Sequence, residues 1–581
     1  MRLPSTHCTG WWADEHWVRA SADGGWWVVI DHVALLPAYL AAGTAVLVLV
    51  ADLLKPVPPA VRETPRRVTV RGGVLAGVGA ATGTGRALPS QSTVDAAPSD
   101  AAPSDAAPSD GSAGGRSAGP AADAGGVALF WRRLPLIVGA VGALAVAVSA
   151  AWLGLGLDGR VRTAFCGGAE APDCSFAVDA RATTLMAAFG LITLAVLALS
   201  AGVDAPPGEY AFLLVASMTG GVVLAGAADL ITLIVALETL TLPLYVLVGL
   251  RRRPERAVES GQAAVTFLVV SVISTAISLL GAALVYAATG AIHFGAVRMV
   301  SNAVVDPALR PIATAGTVLL LAGLAFKVAA VPLHAWAPTT YDGAPLPVAA
   351  YLSTASKFGG VIAIGYVVTK ALPAATDVTG PTLAVLAVLT MTVGNLVALR
   401  QTRMVRLLAW SSIAQAGYIV AALAVPGGLA VAFGYTVFFV LLELAAFGGI
   451  IGTRGPGADG GNLDDYAGLV RRAPARAVVI GLALAGLAGL PPGIAGLFAK
   501  VAVVRVLVDG DATWLAVVVA INAVIGLAYY VRAARILFTG PSGGRLERPS
   551  WTVAAALTLL TAAGLVAGFA PQLVFDLVVW S

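Results

Sequence analysis

The chain has 581 residues, 58% of them hydrophobic and 12% charged, with a formal net charge of +4. An ordinary soluble domain is roughly 45–50% apolar and about 25% charged, so the apolar excess exceeds what one water-soluble core can hide, and lipid must cover much of it. The small net charge argues against nucleic-acid binding. Three cysteines without Cys-x-x-Cys or paired-histidine spacing argue against an iron–sulfur or metal site held by the chain itself. No glycine-rich fingerprint follows a strand pattern, so no dinucleotide site is expected.

Residues 1–25 are polar and lack a basic stretch ahead of a short apolar core, so they are expected to be an external N-terminal segment rather than a cleaved leader. Trp11, Trp12, Trp17, Trp26 and Trp27 suit an interfacial aromatic belt. A first transmembrane helix is predicted over 26–54. The segment 55–133 contains a tandem Ala-Ala-Pro-Ser-Asp repeat ending at Asp110, and this low-complexity composition predicts a disordered, solvated insertion.

From 134 to 581 apolar stretches recur, each long enough as a helix, at about 1.5 Å per residue, to cross a hydrocarbon layer of about 30 Å. Backbone in lipid must satisfy its own hydrogen bonds, so these are helices. Including the first, spans are predicted near 27–54, 134–157, 183–203, 210–227, 229–250, 261–288, 312–337, 345–370, 381–400, 406–425, 429–452, 477–506, 512–537 and 551–576. The fold class is therefore all-α, a polytopic membrane protein of about fourteen transmembrane helices. Cys166 and Cys174 fall in an outside loop, as free thiols or as a local disulfide. Asp229 is predicted to cap the fifth span.

Basic residues gather in alternate loops: Arg251, Arg252, Arg253 and Arg256; Arg400, Arg403 and Arg406; Arg471, Arg472 and Arg476; Arg532, Arg535, Arg545 and Arg548. The intervening short loops are nearly free of Lys and Arg. That asymmetry puts the arginine loops and the 55–133 insertion in the cytoplasm and both termini outside.

A charged side chain at mid-membrane costs about 2.5–3.5 kcal/mol on insertion scales, so each one here calls for a reason. Glu238 lies twelve residues before Arg251, or about 18 Å along a helix. Lys327 sits deep in the seventh span, Lys357 twelve residues past Pro345, and Lys500 beyond Pro491-Pro492-Gly493. Pro332 and Pro491 are expected to break their helices, freeing carbonyls that need water or polar side chains. His334, two turns from Lys327, is placed on its face, and Ser353 and Thr354 on the face of Lys357. Glu443 is the remaining buried carboxylate, with a structural ion pair as the competing reading. Desolvation lowers a lysine's proton affinity and a nearby carboxylate restores it, so a Glu238 that approaches or withdraws from Lys327 would work as a proton switch.

Lys327 and Lys500 lie five spans apart, each beside a proline break, and an odd separation inverts orientation. This is the arrangement of inverted-topology repeats whose broken helices meet at the midplane. The repeats are placed at about 205–371 and 381–538.

Several stretches carry a resemblance: ALETLTLPLYVLVGLRRR, FKVAAVPLHAWAPTTYDGAPLPVAAYLSTASK, RMVRLLAWSSIAQAGY, LDDYAGL, and LAGLPPGIAGLFAK followed by GLAYYVRAARILF, with a weaker contribution from FAVDARATTLMAAFGL. Together they resemble the antiporter-like membrane subunits of complex I, the bacterial NADH:quinone oxidoreductase, and within them the subunit N group. The likeness spans about 230–540 and does not cover 1–25 or 55–133. It implies two inverted five-helix repeats in the bacterial inner (plasma) membrane, conducting protons while sister membrane and peripheral subunits carry NADH, FMN, iron–sulfur clusters and quinone. It implies no cofactor in this chain. By motif position Glu238 and Lys327 would be the charge pair, Lys357 the connecting lysine and Lys500 the outlet lysine. The chain departs from the family at Gln262 and Thr266, in GlnAlaAlaValThrPhe where a Glu-Ala-Ala-x-Lys-Tyr-Phe stretch is usual, and at Thr339, where an aspartate is usual. Two other readings fit the sequence. One is a subunit of a multi-subunit cation/proton antiporter, and the other a non-conducting scaffold paralogue.

Overall fold

The computed structural model describes residues 30–54, 121–167, 173–250, 257–302, 306–491, 495–540, 546 and 548–579. The Trp belt, most of the 55–133 insertion and the Arg251–Arg256 loop lie outside the described residues.

Helices dominate because apolar runs must pair their own backbone groups. In chain order they are α1 (Leu36–Leu53), α2 (Ala121–Leu155), α3 (Ala180–Leu199), α4 (Pro207–Ala225), α5 (Leu230–Gly249), α6 (Ala257–Thr289), α7 (Phe294–Asn302), α8 (Arg310–Ala325), α9 (Trp336–Gly343) and α10 (Leu346–Tyr351). A π-helical turn, Leu352–Ser356, joins α10 to α11 (Lys357–Tyr366), and a second, Val367–Ala371, ends it. There follow α12 (Thr376–Ala398), α13 (Met404–Ala422), α14 (Gly428–Arg454), α15 (Leu469–Arg472), α16 (Pro474–Ala488), α17 (Ala495–Asp509), α18 (Thr513–Phe538), α19 (Trp551–Phe569) and α20 (Pro571–Val579). Twelve described helices, counting the continuous run Leu346–Ala371 as one, are long and apolar enough to cross a membrane. Helix α2 starts at Ala121, thirteen residues before the predicted 134, so the insertion's last residues are helical.

Two predicted spans are not single helices. The stretch 312–337 is α8 followed by a non-helical segment over 326–335, and 477–506 is α16 and α17. The first break falls before Lys327, earlier than the expected Pro332, and Ala329 turns the chain with φ 57°. The freed polar groups find partners: Trp336 donates its indole N–H to the Phe326 carbonyl (3.3 Å), and the Val331 amide donates to Thr390 Oγ1 (3.0 Å). Gly489, left-handed at φ 84°, ends α16. A helix terminated in this way leaves its last carbonyls pointing onward for a donor.

A short hairpin, β1 (Arg162–Gly167) against β2 (Asp173–Val178), lies between α2 and α3, and a Cys166–Cys174 disulfide joins its strands. Arg162 ties it to Asp31 at 2.7 Å, and the Ala177 amide donates to the Gly226 carbonyl at 2.8 Å. The hairpin thus bridges the chain ahead of α1 and the α4–α5 turn. Intact-mass analysis after alkylation without reductant is expected to find Cys166 and Cys174 unmodified; modification of both thiols would contradict the pairing. Asp229 caps α5 as expected, accepting from the Thr232 amide at 2.6 Å and from its hydroxyl at 2.8 Å.

Candidate functional site

The centre of the bundle carries buried cations set in hydroxyls and carbonyls. Because Lys327 lies in the break after α8, its side chain is free to cross to α5, where Nζ donates to Glu238 Oε1 (2.7 Å) and Thr241 Oγ1 (3.0 Å); a third donation reaches Ser271 Oγ on α6 (3.2 Å). An ammonium has three donors, and here all three are used. Thr275 Oγ1 donates to the same Glu238 oxygen at 2.5 Å, and the Tyr245 hydroxyl donates to Ser271 at 2.5 Å. The two charges differ in setting: the lysine side chain is 4% exposed, the glutamate 28%.

Thr241, Tyr245, Ser271 and Thr275 are absent from the sequence-level site. Their signal was present in α6, where Ser271, Ser274, Thr275 and Ser278 recur at helical spacing in an otherwise apolar helix. Three of them, Ser271, Ser274 and Ser278, are buried, and Ser274 Oγ bonds the Gly323 carbonyl of α8 at 2.5 Å, which positions the break from outside.

Lys357 opens α11 directly after a π turn. Such turns shift the register of side chains and recur at functional sites. Its Nζ donates to Ser412 Oγ on α13 at 2.8 Å and stands 6.0 Å from the Phe439 ring of α14. Ser353 and Thr354, placed on the face of Lys357 by spacing, donate to the Ala350 carbonyl, and the hydroxyl that Lys357 bonds comes from α13 across the helices. Glu443, on α14, is fully buried, and neither carboxylate oxygen has a hydrogen-bond partner among the described residues.

Lys500, in the second turn of α17, donates to the Leu487 (2.8 Å) and Ala488 (2.9 Å) carbonyls at the end of α16. A cation at a helix C-terminus is favoured by the backbone dipoles. Gln415 of α13 donates to the same Leu487 carbonyl (3.2 Å) and to the Tyr530 hydroxyl (2.9 Å), and accepts from Tyr435 (2.5 Å). Ser412 and Gln415 lie one turn apart on α13, so this helix connects the surroundings of Lys357 to those of Lys500.

His334 is not in this file. The segment 326–335 is not helical, so the two-turn relation to Lys327 does not hold. Its Nδ1 lies 3.2 Å from the Pro332 carbonyl and its ring packs edge-on against Trp410.

Gln262, Thr266 and Thr339, the three departures from the family pattern, line one cavity of about 400 Å³ together with Glu259, Asp342, Arg403 and Arg406. Asp342 there accepts from Arg403 Nη2 at 2.8 Å and from Arg406 Nε at 3.0 Å. Among the described residues no cluster of His, Cys, Asp and Glu could hold a metal ion.

The family described as "NADH:quinone oxidoreductase/Mrp antiporter, TM" matches residues 227–526. The chain is 49% identical, over 94% of its length and 98% of the relative's, to the NADH-quinone oxidoreductase subunit N of Salinispora tropica. It is 43% identical to subunit N 2 of Streptomyces griseus, over 66% of this chain and 73% of that one. Among solved structures, a chain of respiratory complex I from Thermus thermophilus aligns with a TM-score of 0.63 at 28% identity, covering 76% of this chain and 92% of that one. A chain of the Mrp complex from Dietzia aligns with a TM-score of 0.68 over 77% and 91%, at 22% identity, and shares the fold. This multi-pass membrane chain belongs to the NADH-quinone oxidoreductase subunit N family of antiporter-like proteins.

Proposed function

We propose that the chain conducts protons across the membrane as a subunit of a respiratory NADH:quinone oxidoreductase. The observation that carries this is the Glu238–Lys327 pair, set at a helix break and saturated with hydroxyls. Such a pair stores a proton when closed. When it opens, the desolvated lysine releases its proton towards Lys357. Serine and threonine hydroxyls both donate and accept, so the groups around the pair can relay without moving far. Lys357, Ser412, Gln415 and Lys500 continue the path, and the Leu487 and Ala488 carbonyls hold the Lys500 ammonium until a proton leaves on the outer side.

No redox centre is assigned to this chain; NADH, FMN, iron–sulfur clusters and quinone are assigned to partner subunits. The arginine loops are assigned to the cytoplasm, which places the Gln262–Thr266–Thr339 cavity on the side of proton uptake and both termini outside. With Lys replaced by Thr266, uptake there relies on polar neutral groups and on Asp342. Glu238 also supports an assembled state, because a carboxylate 28% exposed on the bundle's flank is costly in bare lipid and calls for a neighbouring subunit over it. The chain is expected to co-purify with flavin- and iron–sulfur-containing subunits. Recovery in a complex lacking both, with sodium-dependent transport, would instead support the cation-antiporter reading.

A further inference from the structure

Helix α14 presents Phe439, Glu443 and Phe447 at successive turns of one face. At one end of this stripe Lys357 Nζ stands 6.0 Å from the Phe439 ring, and at the other the Tyr341 ring of α9 lies edge-on 6.4 Å from Phe447. Glu443 sits between them. Its charge acts on Lys357, Tyr341 and Tyr530, from α11, α9 and α18. Both its oxygens are buried without a hydrogen-bond partner among the described residues, as are Ser356 Oγ, Thr340 Oγ1 and the Tyr341 hydroxyl, which lies towards Ser412 outside hydrogen-bond geometry.

Buried polar groups are nearly always satisfied, by protein or by ordered water, and an unsatisfied buried carboxylate is among the most costly of all. Five orphan atoms on α9, α14 and the π turn before α11 are therefore better read as the lining of a hydrated pocket than as separate packing faults. The same short helix, α9, contributes Thr339 and Asp342 to the 400 Å³ cavity at the arginine end of the bundle. Residues 339–342 thus touch that cavity at one side and the orphan cluster at the other.

We infer that Glu443 is a second proton-carrying carboxylate: it is the alternating counter-ion of Lys357, reached through water held by Tyr341, Thr340 and Ser356. The step balances as a proton transfer. An N–H bond of the Lys357 ammonium breaks, an O–H bond forms on Glu443 by way of intervening water, and both groups end neutral. The reverse transfer recharges them. With Lys357 on Ser412 the pair is open; turned towards α14 it is closed. Lys357 then has its own acid partner, as Lys327 has Glu238, and α9 offers it a supply independent of the first pair. This inference rests on the proton-conducting reading above.

The test uses the assembled complex in sealed vesicles, comparing Glu443→Gln and Glu443→Asp with the parent. Glu443→Gln is expected to slow proton translocation by about a hundredfold or more, the lower end of the range for lost acid–base catalysis, with Glu443→Asp restoring most of it. Infrared spectra should lose one protonated-carboxyl band in Glu443→Gln. Translocation within about twofold of the parent in Glu443→Gln, or an unchanged infrared spectrum, would overturn the proposal. Should Glu443→Gln fail to assemble, the carboxyl band of Glu443→Asp decides: displaced, it supports the assignment, and unmoved, it defeats it. A silent Glu443→Gln beside a disabling Lys327→Ala defeats this inference alone, whereas silence in both removes the reading beneath it.

Discussion

Replacing Gly281 with leucine is expected to remove the chain from its complex. Gly281 on α6 lies where a Cβ would come 2.3 Å from the Leu320 amide nitrogen and 2.7 Å from its Cα, both backbone atoms of α8. Gly316 and Gly323 on α8 face α6 in the same way: a Cβ on the first would meet the Val285 nitrogen at 2.9 Å, and on the second the Ser274 carbonyl at 2.7 Å. Small residues allow two membrane helices to approach closely, and in lipid that contact, rather than burial from water, drives association. A leucine has no flexible neighbour to displace, so α6 and α8 must separate. Overpacking costs about 1–3 kcal/mol where side chains can adjust, and backbone against backbone exceeds that. Separation would also break the Ser274–Gly323 bond and carry Ser271 away from Lys327. Recovery of the assembled complex in Gly281→Leu membranes should fall to about a tenth or less of the parent, while Gly295→Ala, with no atom in reach of the added Cβ, serves as the control. Normal recovery of Gly281→Leu would show that the helices are not packed at this distance.

Much of this architecture was legible in the residues because lipid leaves so few choices. Hydropathy located most of the long helices within a few residues, apart from the early start of α2 and the two broken spans, and charge cost singled out Glu238, Lys327, Lys357 and Lys500 for attention. The breaks were legible only in part. Proline marks where a helix cannot continue, but α8 ends at Ala325, because the break is set by tertiary partners such as Trp336 and Thr390. The shared face of His334 and Lys327 was lost for the same reason, since counting by helical turns holds only while the helix lasts. Ser412 and Gln415 were beyond reach for another: a neutral side chain in a span carries no penalty large enough to stand out, and only the folded packing shows Ser412 on Lys357 and Gln415 sharing the Leu487 carbonyl with Lys500. The π turn before Lys357 likewise comes from no propensity in LSTASK.

Replacing Lys327 with alanine is expected to abolish nearly all proton translocation through this chain. The substitution removes the donor of three hydrogen bonds and leaves Glu238 with only Thr275 and the 3.5 Å Tyr245 contact among its described partners. The carboxylate then either takes up a proton permanently or draws in water, and neither state can cycle. The loss should be about a hundredfold in rate or more, the lower end of the range for a removed proton-transfer group. Glu238→Gln should give a similar loss, because a neutral amide can hold Lys327 in place but cannot change its proton affinity. The helices need not move, since Lys327 lies in a break and contributes to no helix ladder. Assembly is therefore expected to survive, which separates this outcome from that of Gly281→Leu.

The number of protons moved per NADH oxidised, measured in sealed vesicles with verified assembly of the parent and the Lys327→Ala complexes, addresses the conducting role most directly. A lower ratio in the variant is the expected result. An unchanged ratio, with the chain present in full amount, would make it a scaffold and contradict proton conduction through Glu238 and Lys327.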